Sequence, residues 1–249
     1  MKVRLDQLLF ARGLAASRTA AQALVLEGKV RVEGRVETKA GRAVAEDAAL
    51  DVEAPPRFVS RGGEKLEGAF AAFPDWDVAG HVCLDVGSST GGFTDCMLQH
   101  GAARVMAVDV GTNQLAYKLR VDPRVWVREN FNARSLTAAD LPERPSRAVT
   151  DVSFISLKLI LPPMAEVLLP GGEIVSLVKP QFEAGRGQAP VVEDISAFGT
   201  QALGLALLGV AESPIRGREK GNVEYLAWWR KPGVGQVAEA LRKCYTSRI

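Results

Sequence analysis

Leu5, Leu8 and Leu9 fall at helical spacing and Gly13 follows as a stop, so the chain opens on a short predicted helix. Ser17 supplies an N-cap for a second helix through Ala21, Leu24 and Val25, and Gly28 ends it. Val30, Val32 and Val36 then alternate around Glu33-Gly34, a hairpin pattern, and Leu50-Asp51-Val52 adds a strand. Residues 1–53 therefore read as two short helices with a small sheet, a unit too small to be very stable alone.

Glu53-Ala54-Pro55-Pro56 breaks both periodicities, so residues 54–60 read as a linker and 61–249 as a second domain. In that domain strand and helix patterns alternate. Strands are predicted at Val82–Val86, Arg104–Val110, Val125–Val127, Ala148–Val152, Glu173–Lys179 and Val223–Trp229. Helices are predicted from Phe93 towards Gln99, over Leu157–Leu169 with a break at Pro162-Pro163, and over Ile195–Val210. Such alternation predicts an α/β fold, an open and mainly parallel sheet with helices on both faces. No internal repeat or low-complexity segment interrupts it.

Composition narrows the class. A content of 47% hydrophobic and 24% charged residues fits a core-forming globular chain. The whole chain is only +2, but residues 1–42 carry nine Lys/Arg against four Asp/Glu. A basic end on a near-neutral body points to a polyanionic partner. Cys83, Cys96 and Cys244 have no metal-ligand spacing, so neither a metal site nor a disulfide framework is expected. Arg4, Asp6 and Arg12 interrupt any apolar leader, and the longest apolar run, Ala202–Val210, is too short to span a bilayer. A cytoplasmic location without membrane contact is the expectation.

Candidate chemistry begins at Leu84–Gly92, LDVGSSTGG. A strand ending in Asp85 and followed by Gly87, Gly91 and Gly92 needs either a tight turn or close approach to a ligand. The first βα loop of such a sheet offers free backbone N–H groups and a helix N-terminus. Asp109 closes the next strand 24 positions further on, where nucleotide folds place an acid for ribose hydroxyls. Position 89, where a dinucleotide fingerprint has its second glycine, is Ser89. The pattern fits a ligand with ribose and adenine but no phosphate, as S-adenosylmethionine is.

Lys65, Asp151, Lys179 and Glu224 form a second constellation. Asp151 and Lys179 close two strands, and strand ends of one parallel sheet face one crevice. Desolvation and a second cation favour an uncharged amine there, and an uncharged lysine is a general base.

The motifs SRGGEKL, LDVGSSTGGFTD, AVDVGTNQL, TDVSFISL, VKPQFE and KGNVEYL resemble the TlyA family of ribosomal RNA 2′-O-methyltransferases, which are related to FtsJ-like methyltransferases and include members named hemolysins. The stretch RLDQLLFARGLAASRTAAQALVLEGKVRVEG resembles the RNA-binding domain named after ribosomal small-subunit protein four. The resemblance implies a Rossmann-like methyltransferase fold preceded by a small α+β RNA-binding domain. It implies a catalytic tetrad at Lys65, Asp151, Lys179 and Glu224. Lys179 would remove the proton of a ribose 2′-hydroxyl, Asp151 would anchor it, and Lys65 and Glu224 would position the hydroxyl. It implies S-adenosylmethionine held by Ser60, Asp85, Gly87, Ser88, Ser89, Thr90, Gly91, Gly92, Phe93, Asp109 and Val110, with Asn130 or Asn132 towards the adenine. Phosphate contacts would come from Arg4, Arg18, Lys29 and Arg31, and from Arg216, Arg218 and Lys220 near the reaction centre. The partner would be ribosomal RNA or a ribosomal subunit, and the target a cytidine. Short chain ends, with three residues before Arg4, hint within that family at large-subunit RNA.

Other readings compete. A non-catalytic RNA-binding or assembly factor would not need all four tetrad residues. A membrane-active hemolysin would need an amphipathic or spanning apolar segment. An NAD-dependent oxidoreductase is opposed by Ser89 and by a histidine supply limited to His81 and His100.

Overall fold

The computed structural model describes residues 1–54, 56–183, 189–217 and 221–233. The chain divides into two compact units, Met1–Pro56 and Arg57–Ile249. In the first, β1 (Lys2–Arg4) runs into α1 (Leu5–Ala11), and the Ser17 hydroxyl accepts from the Ala20 N–H at 3.1 Å to start α2 (Arg18–Leu26). β2 (Val30–Val32) and β3 (Arg35–Glu37) form the predicted hairpin, with Glu33 and Gly34 both at positive φ. β4 (Ala43–Ala45) pairs with β1, and β5 (Leu50–Val52) pairs with β2. Leu5, Leu8, Leu9, Ala21, Val25 and Val44 close the core. β1 and β4 escape sequence reading because three residues flanked by charge show no periodicity.

The second unit begins with α3 (Gly62–Ala72). It continues through β6 (Val82–Val86), α4 (Gly92–Gln99), β7 (Arg104–Val108), α5 (Tyr117–Arg120), β8 (Val125–Arg128), β9 (Arg147–Thr150) and α6 (Leu161–Val167). β10 (Glu173–Val178), α7 (Ala189–Ala197), β11 (Ala206–Glu212) and β12 (Tyr225–Arg230) complete it. The sheet order is β11-β12-β10-β9-β6-β7-β8, and β12 runs antiparallel to both its neighbours. One apolar cluster packs α3 and α4 on one face through Leu66, Met97 and Trp228, and another packs α6 and α7 on the other through Met164, Ile195 and Trp229. This is the predicted doubly wound α/β arrangement. The chain winds outward from β6 in one direction through β7 and β8, then returns to the other side at β9. The crevice at that reversal lies beyond the carboxyl ends of β6 and β9.

Three expectations change. Ile195–Val210 is not one helix: α7 ends at Ala197, a π-helical turn covers Phe198–Ala202, Gly204 takes φ +65°, and β11 follows. Ladder pairing with β12 decides this, and the register shifts between Leu207 and Gly209, where a Cβ on Gly209 would meet the Phe73 ring at 2.8 Å. Pro162 and Pro163 do not interrupt a helix but start α6, where a missing N–H costs nothing. α3 carries Lys65 and was not foreseen, because Gly62, Gly63 and Gly68 dilute its apolar stripe. Gly63 and Gly68 are where Phe58 and Pro214 press against the helix.

Candidate active site

The turn after β6 answers the glycine question. Gly87 has φ +82°, and a Cβ there would lie 2.9 Å from Val152. Gly91 takes φ +97° as the left-handed N-cap of α4, and its Cβ would strike Leu119 at 2.3 Å. Gly92 lies against Ser60, Gly62 and Gly63 at the start of α3. The glycines serve the turn and the packing, and they leave the loop as the wall of a cavity of about 320 Å³. Ser60, Ser88, Ser89, Thr90 and Phe93 line it with Gly87 and Gly92, whereas Gly91 faces inward.

Asp85 is fully buried beneath this loop. The Thr94 hydroxyl donates to its Oδ2 at 2.6 Å, while its Oδ1 has no hydrogen-bond partner. Burial pushes its carboxyl up to about 7. Asp109, directly after β7, accepts from the Ser89 N–H at 2.8 Å and the Gly111 N–H at 2.6 Å. It lines a second cavity of about 850 Å³ with Val110, Phe131 and Asn132. Of the two asparagines, Asn132 lies in that wall. Asn130 is exposed outside it in a left-handed turn, its N–H donated to the Gly111 carbonyl. The cavities share Gly87, Ser89, Asp151, Ser153, Phe154 and Phe182 and so form one cleft.

All four members of the predicted tetrad meet in the smaller cavity. Lys179 Nζ lies 2.5 Å from Asp151 Oδ1 and donates to Ser153 Oγ at 2.8 Å. Lys65 Nζ lies 2.7 Å from Glu224 Oε2 and 3.4 Å from Asp151 Oδ2. Asp151 thus bridges the two amines. Lys179 and Glu224 are buried, and Gln181 Nε2 donates to Glu224 Oε1 at 3.3 Å. Strand-end logic foresaw Asp151 and Lys179; Lys65 arrives from α3 and Glu224 from the residue before β12.

Ser153, Phe154, Gln181 and Phe182 were missed as individual residues, although they sit in the TDVSF and VKPQF stretches. Phe154 is 80% exposed, takes φ +61°, and lies 4.8 Å from the Phe182 ring. A bulky residue in that region costs on the order of 1–3 kcal/mol, so its place at the cleft mouth is held by its surroundings.

Arg216 lines the smaller cavity, and its carbonyl accepts from Arg61 at 3.0 Å. Arg218 and Lys220 lie outside the described residues. In the first unit, Arg4 binds the buried Asp6 at 2.9 Å, Arg18 approaches the same carboxylate at 3.8 Å, and Lys29 pairs with Glu27 at 2.6 Å. Arg31 is exposed on β2. The Asp6 carboxyl is held far below the usual range, chiefly by the Arg4 hydrogen bond.

Away from the cleft, Glu67, Cys96 and His100 place one potential ligand atom each within 4.8 Å of one another. Glu67 already binds Arg57 at 2.7 Å and His100 at 2.8 Å, Phe70 stacks on the His100 ring, and burial pushes the Cys96 thiol above its ordinary range. The cluster is closed by its own partners.

Residues 58–231 match the FtsJ-like methyltransferase family, and residues 3–49 match the S4 domain. The chain is 46% identical over 243 residues to the 16S/23S rRNA (cytidine-2′-O)-methyltransferase TlyA of Mycobacterium tuberculosis, covering 92% of this chain and 90% of that one. It is 41% identical over 239 residues to Hemolysin A of Brachyspira hyodysenteriae, covering 90% and 98%. A solved structure named as a hemolysin from Streptococcus thermophilus superposes with a TM-score of 0.69 at 40% identity, covering 99% and 98%.

Proposed function

The chain belongs to the FtsJ-like methyltransferase family, and from that premise we propose that it methylates the ribose 2′-hydroxyl of a cytidine in ribosomal RNA with Lys179 as general base. It is an S-adenosylmethionine-dependent RNA 2′-O-methyltransferase with an S4 RNA-binding domain, and ribosomal RNA is its substrate. Among the described residues no helix is long and apolar enough to cross a membrane. We place the reaction in the cytoplasm, with the RNA.

The cleft residues fit the cofactor. Asp85 lines neither cavity, but the partnerless oxygen it buries beneath the glycine loop suits an ammonium group. Asp109 keeps lone pairs beyond its two backbone bonds, which suits ribose hydroxyls. Val110, Phe131 and Asn132 supply apolar surface and an amide for an adenine. When bound, S-adenosylmethionine supplies a methyl group made electrophilic by its positive sulfur.

The observation that carries the mechanism is the sharing of Asp151 between Lys65 and Lys179. Lys65 has two acidic partners, Glu224 and Asp151, whereas Lys179 has Asp151 and the neutral Ser153 hydroxyl. That asymmetry supports the reading of Lys179 as the amine that exchanges a proton. The Ser153 oxygen already stands at 2.8 Å from it, the separation at which a ribose alcohol would be met. Lys65 and Glu224 hold the alcohol in place. Placing the reactants supplies much of the acceleration, up to ~7–11 kcal/mol in favourable systems. Phe154 presents an exposed ring at the mouth, a surface on which a nucleobase stacks. Arg31 and Arg216 offer guanidinium groups to phosphates, and Arg4, Arg18 and Lys29 do so where their carboxylate partners leave donors free.

Incubation of ribosomal RNA and intact subunits with labelled S-adenosylmethionine, followed by digestion to nucleosides, tests this. Wild type should yield 2′-O-methylcytidine, and Lys179→Ala should form it at a rate lowered by roughly 10²–10⁴-fold. Methyl on another nucleoside sinks the cytidine assignment, and undiminished Lys179→Ala turnover removes the base.

A further inference from the structure

Glu183 lines neither cavity and, among the described residues, makes no hydrogen bond or ion pair to the tetrad, yet it is buried. Its Oε1 accepts from the Leu157 N–H at 2.8 Å, and its Oε2 accepts from the Ser156 hydroxyl. Those donors end the turn that begins at Asp151. Glu183 ends the turn that begins at Lys179. One carboxylate therefore ties together the far ends of the two turns that carry the amine and its anchor.

The tie holds a strained segment. Phe154 sits midway along the first turn at φ +61°, a conformation that persists only where neighbours over-determine it. On its carboxyl side the chain is fixed by Ser156 and Leu157. Ser156 also accepts from the Lys158 N–H at 3.2 Å, and Lys158 is itself held by Asp194 at 2.7 Å. Among the described residues no cation pairs with Glu183, so its buried oxygens are given to the turn.

We propose that Glu183 is a positioning residue for methyl transfer: by pinning Ser156 and Leu157 it keeps the Asp151–Phe154 turn in the conformation that brings Asp151 and Ser153 to the Lys179 amine. This inference rests on the reading of Lys179 as base. Without the tie, Phe154 relaxes to negative φ, and Asp151 and Ser153 swing away from Lys179.

Full-length Glu183→Ala and Glu183→Gln are compared with Lys179→Ala in single-turnover and steady-state methylation of ribosomal RNA. Amide hydrogen exchange over residues 151–158 is followed in parallel. Glu183→Ala should lower kcat on the order of 10- to 100-fold, as expected for a displaced catalytic group, and change KM for S-adenosylmethionine by much less. Exchange at Leu157 should accelerate. Glu183→Gln should recover most of the lost kcat, since an amide can accept from Leu157 and donate to Ser156. If Glu183→Ala does not fold, Ser156→Ala reads the same tie through exchange at Leu157 and through kcat. Unchanged kcat and unchanged exchange in Glu183→Ala overturn the proposal while a dead Lys179→Ala leaves the base reading standing. An active Lys179→Ala overturns the base reading instead, whatever exchange shows.

Discussion

The two ends of the central sheet both bury charge, and they differ in what that charge faces. At the amino end of β10, Glu173 is 4% exposed and accepts from Trp228 Nε1 at 3.0 Å and from Arg230 at 2.8 Å. Arg147 stands 3.8 Å away and donates to the Asp77 carbonyl. Those groups are spent on one another. At the carboxyl end of the same strand, Lys179 and its partners are also paired, but their heads line a cavity. Burial of paired charge is therefore no mark of chemistry. Opening onto space shared with a glycine loop is what separates the two ends.

The largest effect that tests this contrast is at Lys179. Lys179→Ala should lower methyl transfer by roughly 10²–10⁴-fold, the range lost with a general base, and leave RNA affinity in place. Activity within a few-fold of wild type would make the cavity end as structural as the other. Glu173→Ala should do the converse. It leaves the buried Trp228 Nε1 without a partner and removes the carboxylate that Arg230 binds, at about 1–3 kcal/mol of stability by thermal or urea unfolding, while folded enzyme keeps its kcat. Equal stability, or lost kcat in fully folded protein, would erase the distinction.

Sequence reading recovered what repeats at short range. The alternation of β6, β7, β9 and β10 with helices gave the sheet, and strand-end logic gave Asp151, Lys179 and Asp109. It missed what tertiary pairing decides. β11 carries apolar residues that suit either period until β12 supplies its ladder. α3 is hidden by glycines that exist because Phe58 and Pro214 press on them. Glu183 closes the VKPQFE motif, but the tie it makes leaves no local signal, since its two partners lie 26 and 27 positions away in sequence.

Asp85 sharpens the contrast in a third way, because it is buried at the cavity end yet has one oxygen unspent. Its carboxyl is raised by burial from an ordinary 3.8 to about 7. The folded state therefore holds a proton that the unfolded chain releases near pH 4, so this contribution to stability is complete below that pH. It is lost as pH rises to about 7, at a slope of at most about 1.4 kcal/mol per pH unit. Asp85→Asn should remove that slope between pH 4 and 7 and weaken cofactor binding, both measurable without turnover. An unchanged slope would place the titration elsewhere.

The smallest effect carries the contrast between spent and open charge into the first unit. Arg4 is spent on the buried Asp6, which also takes Arg18 and Gln22, whereas Arg31 makes none of the ion pairs found among the described residues. Arg31→Ala should therefore leave unfolding unchanged and reduce the slope of log affinity against log salt by roughly 0.7–0.9, one phosphate contact. Arg4→Ala should instead cost stability, because it removes the guanidinium that chiefly stabilises the Asp6 carboxylate. If Arg31→Ala leaves the salt slope unmoved, Arg31 is solvated surface, and RNA contact must be sought at other cations of this unit, among them Arg4 and Arg18, whose N–H groups not taken by Asp6 can still reach a phosphate.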